Sequence, residues 1–241
     1  MIEISHVVLA SPDQIEFIIE GMRNPMNSWD KSDSSAEYAG WEIVGYNVGP
    51  NDYSLMQKLS NAGTDHRKFM RMMPVYARIT APLYWWKEFD TYKVGTVANS
   101  CSTMHKIAEK EFMLEDFSTE HLDTGYKHSP VHLDDSIGIL AAEECDYYMF
   151  PKDILTATID GLNRYREKYL ETKNKDYWWQ MIQLLPSSYN QTRNAMMNYE
   201  TLANIYKSRR VHKLDEWIEF CKWIETLPYS DLITNNKDQG D

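Results

Sequence analysis

The fold is decided by one stretch, Ile79-Thr80-Ala81-Pro82-Leu83-Tyr84-Trp85-Trp86-Lys87-Glu88-Phe89-Asp90-Thr91-Tyr92-Lys93. Just before and within it, three apolar residues alternate with three others: Val75, Ala77 and Ile79 against Tyr76, Arg78 and Thr80. This period of two predicts a half-buried strand from Met73 to Thr80. Ala81-Pro82 ends that strand and allows a helix to begin. The stretch therefore predicts a strand-to-helix turn and the helix that follows it.

Composition bounds the size and the partners of the protein. At 241 residues and 43% hydrophobic content, we expect a single domain over residues 1–230 and a polar tail over residues 231–241. The formal net charge of −11 argues against a surface that binds nucleic-acid phosphates or anionic lipid by bulk electrostatics. An anionic small molecule would need a local basic pocket.

Cysteine usage and the N-terminal sequence bear on the compartment. Cys101, Cys145 and Cys221 are widely spaced and odd in number, which fits neither a disulfide framework nor a zinc site. No signal-like segment or long apolar run is evident. We therefore expect a soluble, cytoplasmic protein. The acidic pairs at 134–135 and 143–144 lack metal-ligand spacing with histidines, so no metal is predicted and solvated surface is favoured.

Strand and helix signals alternate in the first half. We predict strands at Glu3–Leu9 and Trp41–Val48, a helix capped by Ser11-Pro12, and a helix at Asn51–Ala62 that stops at Gly63. Loops are predicted at 24–35 and 119–136, the second being either a lid or, as we favour, a plain solvated loop. Helical spacing of apolar residues predicts helices at 154–170, 177–185 and 190–206.

The quoted stretch, with residues 94–103 after it, resembles the signature of the flavin-dependent thymidylate synthases, also called thymidylate synthase complementing proteins. The family motif is Arg-His-Arg-x-x-Ser-x-x-x-x-Ser-x-Arg. In register it falls on Thr91, Tyr92, Lys93, Thr96, Cys101 and Thr103. No position is identical, and only Lys93 and Thr96 are close chemical substitutes.

A second block of the chain resembles the same family in the same order. Leu184-Leu185-Pro186-Ser187-Ser188-Tyr189, then Asn198, Leu202, Asn204, Arg209 and Trp217-Ile218-Glu219, follow the family's leucine-proline turn and long C-terminal helix. Two positions depart in charge, because Glu200 stands where the family has an arginine and Arg71 where it has a glutamate. The resemblance covers residues 50–225 and describes a divergent member with most of its signature replaced.

The resemblance implies a fold, an assembly and a chemistry. The fold is α/β, with an antiparallel sheet flanked by helices and long C-terminal helices. The assembly is a homotetramer whose subunits share their sites. The chemistry is transfer of a one-carbon unit to a pyrimidine nucleotide such as dUMP, with FAD, a reduced nicotinamide and methylene-tetrahydrofolate. Binding and orientation are what the protein supplies there, so no catalytic residue is assigned.

The resemblance also assigns binding residues. Those expected to contact the flavin cofactor are His66, Thr91, Tyr92, Lys93, Asn198, Asn204 and His212, with Lys213 as the alternative to His212. Those expected to contact the nucleotide are Glu88, Asn99, Ser100, Cys101, Ser102, Thr103 and Arg209. The lost arginines remove forked cations that suit phosphates. The small donors from Asn99 to Thr103 provide another way to bind an anion, unless they form a helix cap without a ligand.

Several residues leave alternatives open. The Cys101 thiol is either a nucleophile or, as we favour, an inert buried group. Glu88, with Lys87, either contacts a base edge or ribose or forms an exposed ion pair. The aromatic residues Tyr84, Trp85, Trp86 and Phe89 either stack on a cofactor ring or, as we favour, pack a core or subunit interface.

Three functions remain open from the sequence. The preferred one is the one-carbon transfer just described. The second is a non-catalytic nucleotide-binding protein on the same tetrameric scaffold. The third is a pyrimidine nucleotide hydroxymethylase.

Overall fold

A computed structural model describes residues 1–124, 131–133 and 147–235. Contacts divide the chain into two compact units, each of which is described by itself. The sheet unit comprises residues 2–80, 85–100 and 192–241, and the hairpin unit comprises residue 1 and residues 81–84 and 101–191. Within the described ranges, none of the helices has the length and apolar character that crossing a membrane requires.

The chain alternates between strands and helices. The strands are β1 Glu3–Leu9, β2 Ser35–Ala39, β3 Glu42–Asn47, β4 Pro74–Pro82, β5 Val97–Ser100, β6 Val131–Leu133, β7 Tyr147–Met149 and β8 Asn190–Asn198. The helices are α1 Pro12–Arg23, α2 Pro50–Ser60, α3 Lys68–Arg71, α4 Leu83–Phe89, α5 Thr103–Lys106, α6 Pro151–Thr172, α7 Lys175–Leu184, α8 Tyr199–Arg209, α9 Asp215–Glu225 and α10 Asp231–Thr234. Short 3-10 helices span Asn24–Met26, Trp29–Lys31 and Leu114–Asp116.

The main sheet has the strand order β1-β4-β8-β5, and the pairs β1/β4 and β5/β8 are antiparallel. This confirms the predicted α/β class with an antiparallel sheet and flanking helices. The helices of the C-terminal part, α8 and α9, have 11 residues each, whereas α6 has 22. The local signals near the N-terminus are also confirmed, since Ser11 and Gln14 form a capping box and Gly63 has a φ of +96°.

Two predicted elements differ from the structure. The segment Asn190–Asn198 is strand β8 rather than the start of a helix. Its buried residues Gln191, Ala195 and Met197 all have odd numbers, so a period of two fits the segment, and pairing with β5 fixes it as a strand. The predicted loop from Asn24 to Ser35 contains two 3-10 helices and leads into β2, which pairs with β3.

An aromatic cluster forms the core of the sheet unit beneath the quoted stretch. The Trp85 ring lies 4.7 to 5.5 Å, centroid to centroid, from the rings of Trp86, Phe89, Trp217 and Phe220. All five side chains are buried. The interpretation of these aromatic residues as core packing is therefore confirmed for Trp85, Trp86 and Phe89. Each such ring pair contributes about 0.5–1.5 kcal/mol beyond the area it buries.

The hairpin unit is built on the antiparallel pair α6 and α7. Its core contains Ile107, Phe112, Phe117, Leu155, Ile159, Leu162 and Met181. Of the predicted loop or lid at 119–136, residues 125–130 and 134–136 lie outside the described residues. The acidic pairs at 134–135 and 143–144 and Cys145 lie outside them as well. The predicted polar tail begins with α10, where Leu232 and Ile233 are buried, and its last six residues are not described.

A buried ion pair fixes α1 against α2 in the sheet unit. Arg23 donates from Nε to Asp52 Oδ1 at 2.6 Å, and the two side chains are 5% and 0% exposed. Asp52 Oδ2 also accepts from the hydroxyls of Ser32 and Ser34, at 2.6 and 2.7 Å. Burial acts to raise the pKa of Asp52, but the bonds from Ser32, Ser34 and Arg23 outweigh it and hold the pKa below its ordinary value of 3.8.

We predict that Asp52→Asn lowers the free energy of unfolding by about 3–5 kcal/mol, because it leaves Arg23 buried without a counter-charge. Since the folded pKa of Asp52 is depressed, its stabilising effect is complete above the ordinary pKa near 3.8 and is lost as the pH falls through the folded value. Urea unfolding at pH 7 and at lower pH measures both effects. Glu171→Gln, in an exposed pair with Lys168, is the control and should cost at most about 1 kcal/mol. Equal losses in the two variants would contradict the prediction.

Candidate functional site

The carboxylate of Glu88 lies at the centre of a polar cluster at the end of α4. Glu88 Oε2 accepts a hydrogen bond from Arg209 Nη1 at 2.7 Å and another from Trp217 Nε1 at 2.9 Å. Its Oε1 has no partner among the described residues. The side chains of Glu88 and Arg209 are 35% and 17% exposed, so the pair is partly shielded from water. It is stronger than a fully exposed ion pair because its hydrogen bonds are charge-assisted.

Arg209 is held on several sides within its own chain. Its Nε donates to the Tyr92 hydroxyl oxygen at 2.8 Å. Its guanidinium carbon lies 4.8 Å from the centre of the Trp217 ring and 5.6 Å from that of Tyr92, which adds cation–π attraction. We call the set Glu88, Tyr92, Arg209, His212 and Trp217 the Glu88–Arg209 network.

Both ring nitrogens of His212 have close neighbours. The backbone N–H of Leu214 donates to His212 Nδ1 at 3.2 Å. Nε2 lies 2.9 Å from Arg209 Nη1 and 3.6 Å from Glu88 Oε2. His212 Nε2 therefore lies next to both partners of the Glu88–Arg209 ion pair, and whether it donates to or accepts from them depends on the tautomer.

The triplet Thr91, Tyr92 and Lys93 lies in the turn after α4, where hydrogen bonds fix the backbone. Thr91 Oγ1 donates to the Glu88 carbonyl and Thr96 Oγ1 to the Tyr92 carbonyl, each at 2.7 Å. Gly95 has a φ of +87°, and a Cβ there would lie 2.4 Å from Thr201 Oγ1. Only glycine fits this position, because both the backbone angle and the close approach exclude a side chain.

Other arginines of the sheet unit are also paired with carboxylates. Arg193 Nη1 donates to Asp90 Oδ1 at 2.9 Å, and its guanidinium lies 4.3 Å from the centre of the Trp86 ring. Arg71 forms a two-point ion pair with Glu200, with Nη2 donating to Oε1 at 3.1 Å. The sequence resemblance expects the opposite charges at Arg71 and Glu200, and in this chain the two side chains neutralise each other.

The polar run from Asn99 to Thr103 is divided between the sheet unit and the hairpin unit. Asn99 and Ser100 end the edge strand β5 in the sheet unit, where they pair with Asn194 and Arg193. In the hairpin unit, Ser102 Oγ accepts from the backbone N–H of His105 at 3.0 Å and caps α5, whose first residue is Thr103. For Ser102 the structure therefore shows a helix cap, the alternative that the sequence left open.

Cys101 differs from the favoured sequence interpretation, because its side chain is exposed rather than buried. Its carbonyl oxygen accepts from Gln191 Nε2 at 2.9 Å. A residue next to a strand end is not packed on both sides, which explains the exposure. Among the described residues, no group of three histidine, cysteine or acidic side chains is placed to hold a metal ion.

The residues assigned to FAD do not form a cradle for it within one chain. Asn198 caps α8 by accepting from the Thr201 N–H at 2.9 Å, and Thr91, Tyr92 and His212 have the partners given above. His66 lines a separate cavity of about 1220 Å³ among α1, α2 and α3, while Asn204 is exposed on α8. Lys93 is the sole permanent cation of the set. One lysine does not match the two charges of a flavin pyrophosphate, so the residues of one chain do not fit the cofactor.

Comparisons with known proteins agree with this fold. No protein-family profile and no curated protein sequence matches the chain. Two solved structures of the flavin-dependent thymidylate synthase ThyX from Helicobacter pylori, with FAD and dUMP, match with TM-scores of 0.61 and 0.59 at 16% and 15% identity. The first match covers 98% of both chains, and the second covers 97% of this chain and 95% of the other.

A third solved structure also matches. It is the UMP/dUMP methylase PolB from Streptomyces cacaoi with 5-Br dUMP, with a TM-score of 0.53, 14% identity, and coverage of 94% of this chain and 89% of the other. At such low identities the likeness shows the fold alone. The chain has the fold of the flavin-dependent thymidylate synthases.

We predict that Arg209→Ala lowers the free energy of unfolding by about 1.5–3 kcal/mol, the scale of a hydrogen bond to a charged group. The loss arises because Glu88 keeps a partly buried charge without its guanidinium partner. Arg210→Ala is the matched control, since the Arg210 side chain is exposed and makes no ion pair with the described residues; its effect should be within about 0.5 kcal/mol. Thermal and urea unfolding measure both. Equal stability of Arg209→Ala and wild type would show that the network does not stabilise the fold.

Proposed function

We propose that this chain binds a pyrimidine nucleotide of the dUMP type. The observation that carries the proposal is the end-to-end match, over 98% of both chains, to a protein solved with FAD and dUMP. PolB, solved with a brominated dUMP, adds a second fold relative with a pyrimidine nucleotide. Because the chain carries a net charge of −11, the nucleotide phosphate requires a local cationic site.

Nucleotide binding without flavin chemistry is the form of this proposal that the side chains favour. Arg71, Arg193 and Arg209 are each neutralised by a carboxylate of the same chain. Such pairs leave few free cations near the positions assigned to FAD. A nucleotide with one phosphate needs fewer cations than a flavin dinucleotide, so it is the better match for the groups present.

One-carbon transfer to the pyrimidine is the second candidate. It is supported by the descriptions of the fold relatives, two of which were solved with FAD and one of which is a UMP/dUMP methylase. It would require FAD, a reduced nicotinamide and methylene-tetrahydrofolate, and a hydroxymethylase is its variant. The fit of FAD would then depend on groups from neighbouring subunits.

We further propose that the protein is a cytoplasmic homotetramer whose ligand pocket is completed by assembly. Large apolar side chains exposed on one chain support this, including Trp41 at 101% and Tyr38 at 63% exposure. Rings of this size bury much area at small entropic cost when subunits associate. Nucleotide binding would then stabilise the assembly by mass action.

We predict that the purified protein binds dUMP in calorimetry, binds dAMP more weakly, and is colourless even after FAD is added and excess is removed. Light scattering on the same sample should give the mass of four chains of 28.3 kDa. A yellow preparation with a flavin absorption band would favour the second candidate. Absence of dUMP binding by the intact assembly would contradict nucleotide binding, and a monomer that binds dUMP would contradict the shared pocket.

A further inference from the structure

A cavity of about 490 Å³ lies on the open face of the main sheet. Its lining comes from all four strands: His6 and Val8 of β1, Tyr76, Ala77 and Arg78 of β4, Val97 and Asn99 of β5, and Asn194, Ala195 and Met196 of β8. Its volume is in the range of small-molecule sites. Of this lining, only Asn99 is among the residues that the sequence resemblance assigns to a ligand.

Strand register places the polar groups of this cavity on one face. In β4, Val75, Ala77 and Ile79 are buried, so the alternate residues Tyr76 and Arg78 face outwards. Asn99 and Asn194 are directly opposite each other in the β5/β8 pair, and opposed residues share a face. Arg78 Nε donates to Asn194 Oδ1 at 3.4 Å, a long hydrogen bond. This contact joins the polar residues of β4 to those of the β5/β8 pair.

Arg78 differs from the four arginines of the sheet unit whose carboxylate partners are given above. Arg23, Arg71, Arg193 and Arg209 are each paired with a carboxylate. Arg78 makes no ion pair with any residue in the described ranges, and its contact with Asn194 uses Nε alone. Its two terminal nitrogens are therefore available to a ligand.

A strained histidine borders the same cavity. The register between β1 and β4 shifts between Ser5 and Val8, and His6 in this bulge has a φ of +48°. Residues other than glycine adopt this backbone region only at a cost in conformational energy. Bulges of this kind redirect side chains beside functional sites, and here the bulge places His6 in the lining with Arg78.

The charge of the lining selects the kind of occupant. None of the described lining residues is acidic, although the chain as a whole carries −11. Glu3 lies on the same face, opposite Thr80, but outside the lining. Packing this cavity against its own copy would bring two Arg78 side chains together with no acidic lining residue between them. An anionic ligand would supply the counter-charge that Arg78 lacks among the described residues. A small anion therefore fits this cavity better than a second copy of the chain does.

We propose that this cavity holds the phosphate of the pyrimidine nucleotide, with Arg78 as the cation and the amides of Asn99 and Asn194 as further donors. The proposal rests on the proposed nucleotide binding and adds that Arg78 is the residue that holds the phosphate. The guanidinium of Arg78 can donate two parallel hydrogen bonds to a phosphate. The half-exposed ring of Tyr76 provides an apolar wall beside it. Arg209 remains with Glu88 when the nucleotide is bound.

The test measures two ligands on the wild type and one variant, with a second variant as the control. Calorimetry is run with dUMP and with deoxyuridine, which lacks the phosphate, on the wild-type assembly and on Arg78→Ala. We expect Arg78→Ala to weaken dUMP binding by about 10- to 100-fold, the loss of one charge-assisted contact, and to leave deoxyuridine binding unchanged. Arg71→Ala is the matched control, an exposed arginine already paired with Glu200, and should keep dUMP affinity within twofold. Circular dichroism confirms the fold of each variant.

Three results would overturn the inference, and a fourth would overturn its basis. Unchanged dUMP affinity in folded Arg78→Ala would remove Arg78 from the phosphate site. Equal losses for dUMP and deoxyuridine would show that Arg78 acts on the structure and not on the phosphate. Loss of the oligomer in Arg78→Ala, with dUMP affinity retained, would assign the face to a second copy of the chain. If wild type binds neither ligand, the failure lies with the proposed function itself.

Discussion

The ion pair between Glu88 and Arg209 is the interaction on which the motif region depends. It joins the end of α4 to the end of α8, and Trp217 of α9 donates to the same carboxylate oxygen. The turn with Thr91, Tyr92 and Lys93 follows directly, because the Tyr92 hydroxyl accepts from Arg209. Beneath it, Trp85 packs on Trp217. Removing one partner of the pair would leave a partly buried charge above an aromatic core, which costs more than the loss of one surface contact.

The same chemistry holds a second part of the sheet unit together. Arg71 and Glu200, at which the sequence resemblance expects the opposite charges, form an ion pair in this chain. Such a pair attracts in either order, so it can join α3 to α8 with the charges in this arrangement. The consequence for ligands is different, because paired arginines offer less charge to a phosphate. Arg78, on the open face of the sheet, is outside these ion pairs among the described residues.

The sequence predicted the strand-to-helix turn well because its signals are local. The alternation up to Thr80 and the proline at 82 define β4 and the start of α4 without help from distant residues. Strand β8 was missed because its secondary structure depends on pairing with β5. That long-range contact overrides the apolar spacing that predicted a helix. The motif residues Thr91 to Lys93, which the sequence prediction included in the helix, lie in the turn after α4, which ends at Phe89. Their partners could not be read from the sequence, because Arg209 and Trp217 lie more than a hundred residues away.

The sequence predicted only part of the cavity lining. The period of two already placed Tyr76, Arg78 and Thr80 together on one side of β4. Nothing local indicates that His6 sits in a bulge or that Asn194 lies opposite Asn99, since both facts arise from strand pairing. The free state of Arg78 is likewise visible only when the partners of the other arginines are known.

A crystal structure of the assembly with dUMP would locate the phosphate. We expect the phosphate within hydrogen-bond distance of the Arg78 guanidinium, with Glu88 still bonded to Arg209. A phosphate bound to Arg209, with the Glu88 carboxylate displaced from it, would exclude Arg78 as the phosphate-binding residue.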